Sequence, residues 1–454
     1  MIPTFHEPAR DIPVAKEVDV LVVGAGPAGI GAAVRAAREG AQTLLVESQG
    51  MLGGTWTSSM QVHATCFFSG GRVIVGGLVR EIIDRLARDG HAEDPERKIQ
   101  EYPTSSAVHF EPEWMKGCLD DVVVESGAEL LLHAFCAGAI VDAGGVGGIV
   151  VESKSGRQAI RAAVTIDCTG DADVAHAAGV PTRRGRESDG QCQPVNTTCL
   201  LSQVDRERSV AWVEANRGLL RKLSEQAQAA GELDRSFAIG RLGARTCYPD
   251  VTYHNIGHVF NIDCTRAEDL TRAELEGRRQ VRQIYQFFRK YVPGYEHCRL
   301  AAVAPTVGRR ESRRIVGVAT LTRDDVVAGR KFEDGVARHN YYVDVHSADP
   351  LLPEPGMDNA DRPAPGDYYE VPYGCLVPQT VDRLLVAGRC ISADRAALGS
   401  ARTTVCCMAL GEAAGLAAAL AVRDRRRVRD VDGAALKQAL LGSAPFQSPA
   451  RPFT

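Results

Sequence analysis

The 454-residue sequence contains thirteen cysteines but no C-x-x-C pair. Without such pairs there is no ligand set for structural zinc, for an iron–sulfur cluster or for a thioredoxin-type redox centre. The cysteines are odd in number and scattered, with one vicinal pair at Cys406–Cys407. They read as reduced, mostly buried thiols of a cytoplasmic protein, and no metal site is expected. No apolar run approaches the roughly 18 residues needed to cross a membrane. The opening MIPTFHEPARDIPVAKEVDV has neither a basic start nor a hydrophobic stretch, so it does not read as a secretory signal. A basic excess is missing too. With 57 acidic and 53 basic residues the formal net charge is -4, against the positive field that backbone contacts to nucleic acid require. What remains is ordinary for a globular protein, 44% apolar and 24% charged, with length for about two or three domains.

The first structured stretch is VDVLVVGAGPAGIGAAVRAAREGAQTLLVE. Val18 to Val23 is a β-branched run suited to a strand buried on both faces of a parallel sheet. Gly24, Gly26 and Gly29 form G-x-G-x-x-G at the turn from this strand into a small-residue helix, Ala28 to Arg38, which Gly40 stops. Leu44 to Val46 is a second buried strand, closed by Glu47. A lone glycine triad is weak evidence, but strand, turn, helix and an acid about 20 residues on make the context specific. Glycines let the backbone approach a pyrophosphate, the helix N-terminus supplies N–H donors, and Glu47 can accept from a ribose hydroxyl. The alternative is a βαβ unit with no ligand. A dinucleotide site is expected.

Downstream, GMLGGTWTSSM places a second glycine pair, Gly53-Gly54, just after the acidic strand. The stretch from Ala128 to Asp173 reads as a glycine-broken meander leading into a strand at Ala163 to Asp167, then Thr169-Gly170-Asp171. GGVGG (144–148) joins two strands and opens no helix. No second G-x-G-x-x-G exists, so a built-in NAD(P)H domain is not expected. Residues from about 180 change character: PTRRGRESDGQCQP is loop-like. EDLTRAELEGRRQVRQIYQFFRKYVPG is a long helix with Val281, Ile284, Tyr285 and Phe288 on one face, ended by Pro293-Gly294. Ser347 to Asp367 is a proline-broken loop, long enough to be a lid or a wrapped edge. DRLLVAGRC gives another buried strand, GSARTTVCCMALGEAAGLAAALAVRD a small-residue helix, and RDRRRVRD its solvated end.

VGRRESRRIVG holds Arg309, Arg310, Arg313 and Arg314 within six residues. In an acidic chain the cluster is local. A solvated face or internal ion pairs with Glu311 stand beside a functional reading.

Taken together, the motifs resemble the FAD-dependent oxidoreductases of the glutathione-reductase-type flavoprotein superfamily, with a more distant similarity to succinate dehydrogenase and fumarate reductase flavoproteins. The resemblance rests on Gly24 to Glu47, Leu52-Gly53-Gly54-Thr55, Asp167 to Asp171, EDLTRAELEGRRQV, GRRESRRIVG, DVHSADP and RLLVAGRCISADRAALGSARTTVCCMALGEAAG, spread over nearly the whole chain. It implies an α/β fold: a Rossmann-like FAD-binding domain, a parallel sheet with a β-meander, built from residues 1–180 and 346–454. An α+β substrate domain would be inserted at 181–345. It implies FAD held by Gly24, Gly26, Pro27, Ala28, Gly29, Glu47, Ser48, Gly53, Gly54, Thr55, Cys136, Thr169, Gly170, Asp171, Gly388, Arg389, Ser400, Ala401 and Arg402.

Two departures from the family pattern bear on substrate. Arg395 stands where a histidine is common, and arginine there resembles a fumarate reductase segment in which an arginine helps to hold a dicarboxylate. Asn255 is kept, while His258 stands where an arginine is common. The expected catalytic set is therefore Arg395, Arg310, His258, His63 and Asn255, with Arg395 clamping an anionic group and Arg310 or His258 opposite. His346 reads as a residue that holds its loop by a hydrogen bond.

The function expected is hydride exchange between FAD and a small, polar, anionic organic molecule, possible in a biosynthetic pathway, with an external electron acceptor or donor. Two other classes stay open: a flavin electron-transfer subunit of a larger redox complex, and a tRNA-modifying flavoprotein. The first lacks cluster-binding cysteines and the second a basic balance. Neither nucleic acid nor membrane is an expected partner.

Overall fold

The structure is a computed structural model and describes residues 4–69, 72–101, 107–349 and 361–441. Its central strand is Val14–Val23, hydrogen-bonded in parallel to Thr43–Val46 on one edge and to Gly156–Asp167 on the other. Glu129–Leu131 extends the sheet beyond Thr43–Val46, and Leu384–Val386 pairs in parallel with the end of Gly156–Asp167. Numbered along the chain, these five parallel strands stand in the order 3-2-1-4-5. Phe135–Asp142 and Gly145–Ser153 add the antiparallel meander that completes seven strands. Residues 20–23 are all buried because both faces are covered. Val20 and Val22 face the helices, while Leu21 and Val23 pack with Val146, Ile149 and Ile160 of the meander.

The helix after the glycine turn spans Pro27–Arg38 and lies against Thr404–Arg423. Their approach demands small residues. A Cβ on Gly411 would fall 1.9 Å from the Ala28 carbonyl oxygen, and one on Gly415 would fall 2.2 Å from that of Ala32. Thr404–Arg423 also corrects the expectation that nothing in the chain is long and apolar enough to span a bilayer. By length and composition this helix qualifies; counting uninterrupted apolar residues missed it because Glu412 breaks the run. In the structure 89% of its apolar window is buried inside the fold. Arg395–Ala401 forms a separate short helix before it.

A second, antiparallel sheet runs Ala244–Arg245, Thr252–His254, Cys199–Ser202 and Arg299–Val303. The helix Ala267–Tyr291 packs Val281, Ile284, Phe287 and Phe288 into a core of its own with Leu201, Phe237 and Tyr295. The stretch read as a loop after residue 180 contains a strand, Thr182–Arg184, paired with Arg313–Ile315. Its partner lies about 130 residues downstream, so no local pattern announces it. GGVGG opens no helix, as read: it lies at the turn from Phe135–Asp142 into Gly145–Ser153, with Gly145 to Gly148 already in the second strand. A Cβ on Gly148 would fall 2.0 Å from the Ile160 carbonyl oxygen, which is why the position takes glycine. The middle of the proline-broken loop, 350–360, lies outside the described residues.

Candidate active site

The sequence-expected residues gather in three places. At the first, the end of Val14–Val23, Gly24 turns with φ +93° and Gly29 sits so close under it that a Cβ there would fall 1.8 Å from the Gly24 oxygen. Gly26 is different. It caps the helix that begins at Pro27, and a Cβ on it would meet nothing within 4 Å. Gly53 donates its N–H to the Ala25 oxygen at 2.8 Å, and a Cβ on Gly54 would stand 3.0 Å from the Gly26 Cα. The two glycine motifs, separate in sequence, therefore form one backbone-lined cradle, with Thr55 exposed at its rim. Glu47 accepts from the Ala25 N–H at 2.7 Å, the Gln49 N–H at 2.8 Å and the Ser48 hydroxyl at 3.0 Å. Gly388 closes the other side, where a Cβ would lie 3.0 Å from that of Ala28. Space beside Gly26, a helix N-terminus and a fixed carboxylate suit a dinucleotide pyrophosphate and ribose.

At the second place Asp171 gathers the arginines. Its carboxylate takes Arg309 at 2.7 Å, Arg389 at 2.9 Å and the Ser312 hydroxyl, and its carbonyl takes Arg313 Nε at 2.7 Å. Arg313 also reaches Asp173. Burial alone would raise the Asp171 pKa, but Arg389 and Arg309 outweigh it and hold the carboxyl below its ordinary range. Asp173 goes up to about 6, through burial and then through Asp171. Thr169 bonds back to Asp167 by N–H and hydroxyl, and a Cβ on Gly170 would fall 2.8 Å from Arg389 Nη2. Cys136 Sγ donates to the Gly138 carbonyl at 3.8 Å, and burial pushes the thiol up to about 12.

Arg395, expected as a substrate clamp, has a partner within the chain. Its Nε lies 3.2 and 3.1 Å from the two oxygens of the fully buried Glu311. Glu311 also holds Arg314 at 3.4 Å and accepts from the Gln193 N–H at 3.2 Å. The carboxylate at the centre of the arginine cluster is thus shared by Arg314 and Arg395.

The third place brings Arg310, His258, His63 and Asn255 together. Arg310 is 7% exposed and donates to the Pro194 carbonyl. Among the described residues no carboxylate lies within 4 Å of it. Burial, and then the nearby Arg402, press its pKa down to about 10. His258 Nε2 and His346 Nδ1 are 3.2 Å apart, and His346 Nε2 is 3.4 Å from Asp344. Asp344 in turn pairs with Arg402 at 3.1 Å. His258 is lowered to about 3 by burial, then by Arg310 and Arg241. His346 is lowered as well, by Arg310 first and then by burial. Asn255 accepts from Asn196 at 2.7 Å. His63 packs edge-on to Tyr253 with ring centroids 5.8 Å apart. Its pKa falls to about 4 through burial and then through His109. Ser400 bridges Tyr369 at 2.8 Å and the Tyr341 oxygen at 2.7 Å, and Ala401 is buried beside it.

Sequence reasoning missed Asp344 and Tyr253, and it gave His346 only a loop contact. The loop role is present, since the His346 N–H donates to Gln193 Oε1 at 3.0 Å. The side chain does more. No spacing links His258 with a partner 88 residues away.

The model of the FAD dependent oxidoreductase family matches residues 19–440. The chain belongs to that family and is an FAD-dependent oxidoreductase. No curated protein matches the sequence. Among solved structures it is similar to a p-nitrophenol 4-monooxygenase from Pseudomonas putida, at 11% identity and a TM-score of 0.49, covering 95% of this chain and 87% of that one. A geranylgeranyl bacteriochlorophyll reductase-like protein from Thermoplasma acidophilum is similar at 14% identity and a TM-score of 0.44, covering 94% and 82%.

Proposed function

We propose that the enzyme oxidises or reduces a small, polar, anionic organic substrate whose carboxylate is held by Arg310, with His258 exchanging the proton. The observation that carries this reading is Arg310 itself, a buried guanidinium with a carbonyl but no carboxylate beside it among the described residues. An unpaired buried charge costs several kcal/mol, and such a site is relieved by an anion that arrives from outside. Gln193 adds a second donor: its Nε2 is buried with no partner among the described residues, one residue before the carbonyl that Arg310 bonds. Together they suit a group with two acceptor oxygens.

FAD, when bound in the glycine cradle, supplies the two-electron chemistry. The chain's part is to orient the substrate and move a proton. Burial, and then Arg310 and Arg241, keep His258 neutral, so near pH 7 it carries no proton to give and has a free ring nitrogen to accept one. The 3-2-1-4-5 sheet with its antiparallel meander supports the wider placement among glutathione-reductase-type flavoproteins. An external acceptor or donor completes the cycle.

Anaerobic mixing of the holoenzyme with 2-hydroxy acids, amino acids and their methyl esters tests the reading by bleaching of the flavin band. Bleaching by an acid and not by its ester is expected; bleaching by both equally would remove Arg310 from recognition.

A further inference from the structure

Resting on this reading of the pocket, we infer that Asp344 and His346 are positioning residues that fix His258 in one tautomer, with the proton on Nε2 and the lone pair on Nδ1. The argument uses the order of the three side chains. His346 Nε2 lies 3.4 Å from the Asp344 carboxylate, which can only accept a hydrogen bond when ionised. The contact is an ion-pair distance and not a formed hydrogen bond, yet the negative charge favours a ring N–H over a bare nitrogen on that side, since a bare nitrogen would set one lone pair against another. The neutral His346 ring then has its other nitrogen, Nδ1, as an acceptor. That nitrogen is 3.2 Å from His258 Nε2, so His258 must donate there. Its Nδ1 is left as the basic atom and has no partner among the described residues.

The charges around the pair favour neutral rings. Arg310 and Arg241 act on His258; Arg310, Arg402 and Arg241 act on His346, with Asp344 the acid in contact. Phe260 covers one side of His258, ring centroids 6.0 Å apart. The Gln280 side chain fixes the His258 carbonyl at 2.8 Å. The backbone is thereby held while the ring orientation is left to His346. Arg402 anchors Asp344 through both its carboxylate and its carbonyl, at 3.1 and 3.0 Å. The chain of contacts runs from a fixed acid to a base in the pocket.

The test uses full-length holoenzyme labelled with ¹⁵N-histidine. Two-bond ¹H–¹⁵N correlation spectra read the tautomer, and a His258→Gln sample assigns the signal. At pH 7 the His258 ring should show a protonated Nε2 and a bare Nδ1, and it should stay neutral to below pH 5. In Asp344→Asn and in His346→Gln this preference should be lost, with the tautomers mixing or reversing. A protonated Nδ1 or an imidazolium at pH 7 in the unaltered enzyme would overturn the inference. So would an unchanged tautomer in both variants at full FAD occupancy. Arg310→Gln, titrated with acetate, separates the two claims: acetate binding as in the unaltered enzyme would sink the anion site and leave the tautomer result standing.

Discussion

Arg395 Nε spans both oxygens of Glu311, at 3.2 and 3.1 Å, and the carboxylate beneath it is fully buried. Arg395 was the residue whose sequence context pointed most directly to substrate. Its first partner is instead a carboxylate of this chain, three residues from Arg314, which shares it. Arg395→Gln should therefore lower stability by about 1.5–3 kcal/mol, the worth of a charged hydrogen bond. Thermal melts of the variant and of Glu311→Gln measure this. An unchanged melting temperature for Arg395→Gln, with weakened substrate binding, would restore the clamp.

Gly26 and Gly29 should behave in opposite ways. A Cβ at Gly26 has nothing within 4 Å and φ is -69°, so the backbone accepts a side chain there, and valine's methyls would extend into the space beside the helix N-terminus. Gly26→Val should fold and should fail to retain FAD. Gly29→Ala should fail to fold, because its methyl would stand 1.8 Å from the Gly24 oxygen. Flavin content and circular dichroism on both variants decide the matter. A yellow Gly26→Val protein would move the pyrophosphate elsewhere.

Most of the fold was legible in the sequence because the nucleotide-binding unit is local. Val18 to Glu47 states strand, turn, helix and strand within about 30 residues, and the structure changes only the ends, to Val14–Val23 and Pro27–Arg38. The proposed catalytic cluster was legible in composition but not in partnership. His258, His63, Asn255 and Arg310 were all singled out, yet only tertiary contact shows that His258 meets His346 and that Arg395 meets Glu311. In the arginine cluster, Glu311 lies next to Arg310 in sequence, but its carboxylate engages Arg314 and Arg395. Strand Arg313–Ile315 directs alternate side chains to opposite faces, a sorting invisible until the strand is paired.

Asp171 should be a stability residue whose loss also disturbs the cofactor side of the sheet. Asp171→Asn leaves Arg309 and Arg389 without their shared carboxylate. Breaking a buried pair from one side costs about 3–5 kcal/mol. Denaturant titration should show a loss of that size. A loss below about 1 kcal/mol, within the range of a surface ion pair, would mean that the two arginines find other partners.

Glu412 gives a pH-dependent stability of known sign. It lies 8% exposed on the long apolar helix and accepts from the Leu78 N–H at 3.1 Å. Burial raises its pKa from 4.5 to about 7. Below about pH 4.5 the carboxyl is protonated in both folded and unfolded chains and carries no penalty. Between there and pH 7 the unfolded chain ionises first, so stability falls as pH rises, and the full loss is present above pH 7. The size is on the order of 3 kcal/mol. Glu412→Gln, which keeps the acceptor, should gain melting temperature over the unaltered enzyme at pH 8 and not at pH 4.5. An equal difference at both values would contradict it.

The central claim is that Arg310 awaits an anion. Acetate titration of the holoenzyme, followed by difference absorbance of the flavin, tests it most directly. The unaltered enzyme should give a saturable change. In Arg310→Gln the affinity should fall by about ten- to a hundredfold, the equivalent of about 1.5–3 kcal/mol, while FAD content holds and the melting temperature stays level or rises. Equal acetate affinity in the two proteins, or a melting temperature that collapses with the substitution, would contradict the account and make Arg310 a structural residue.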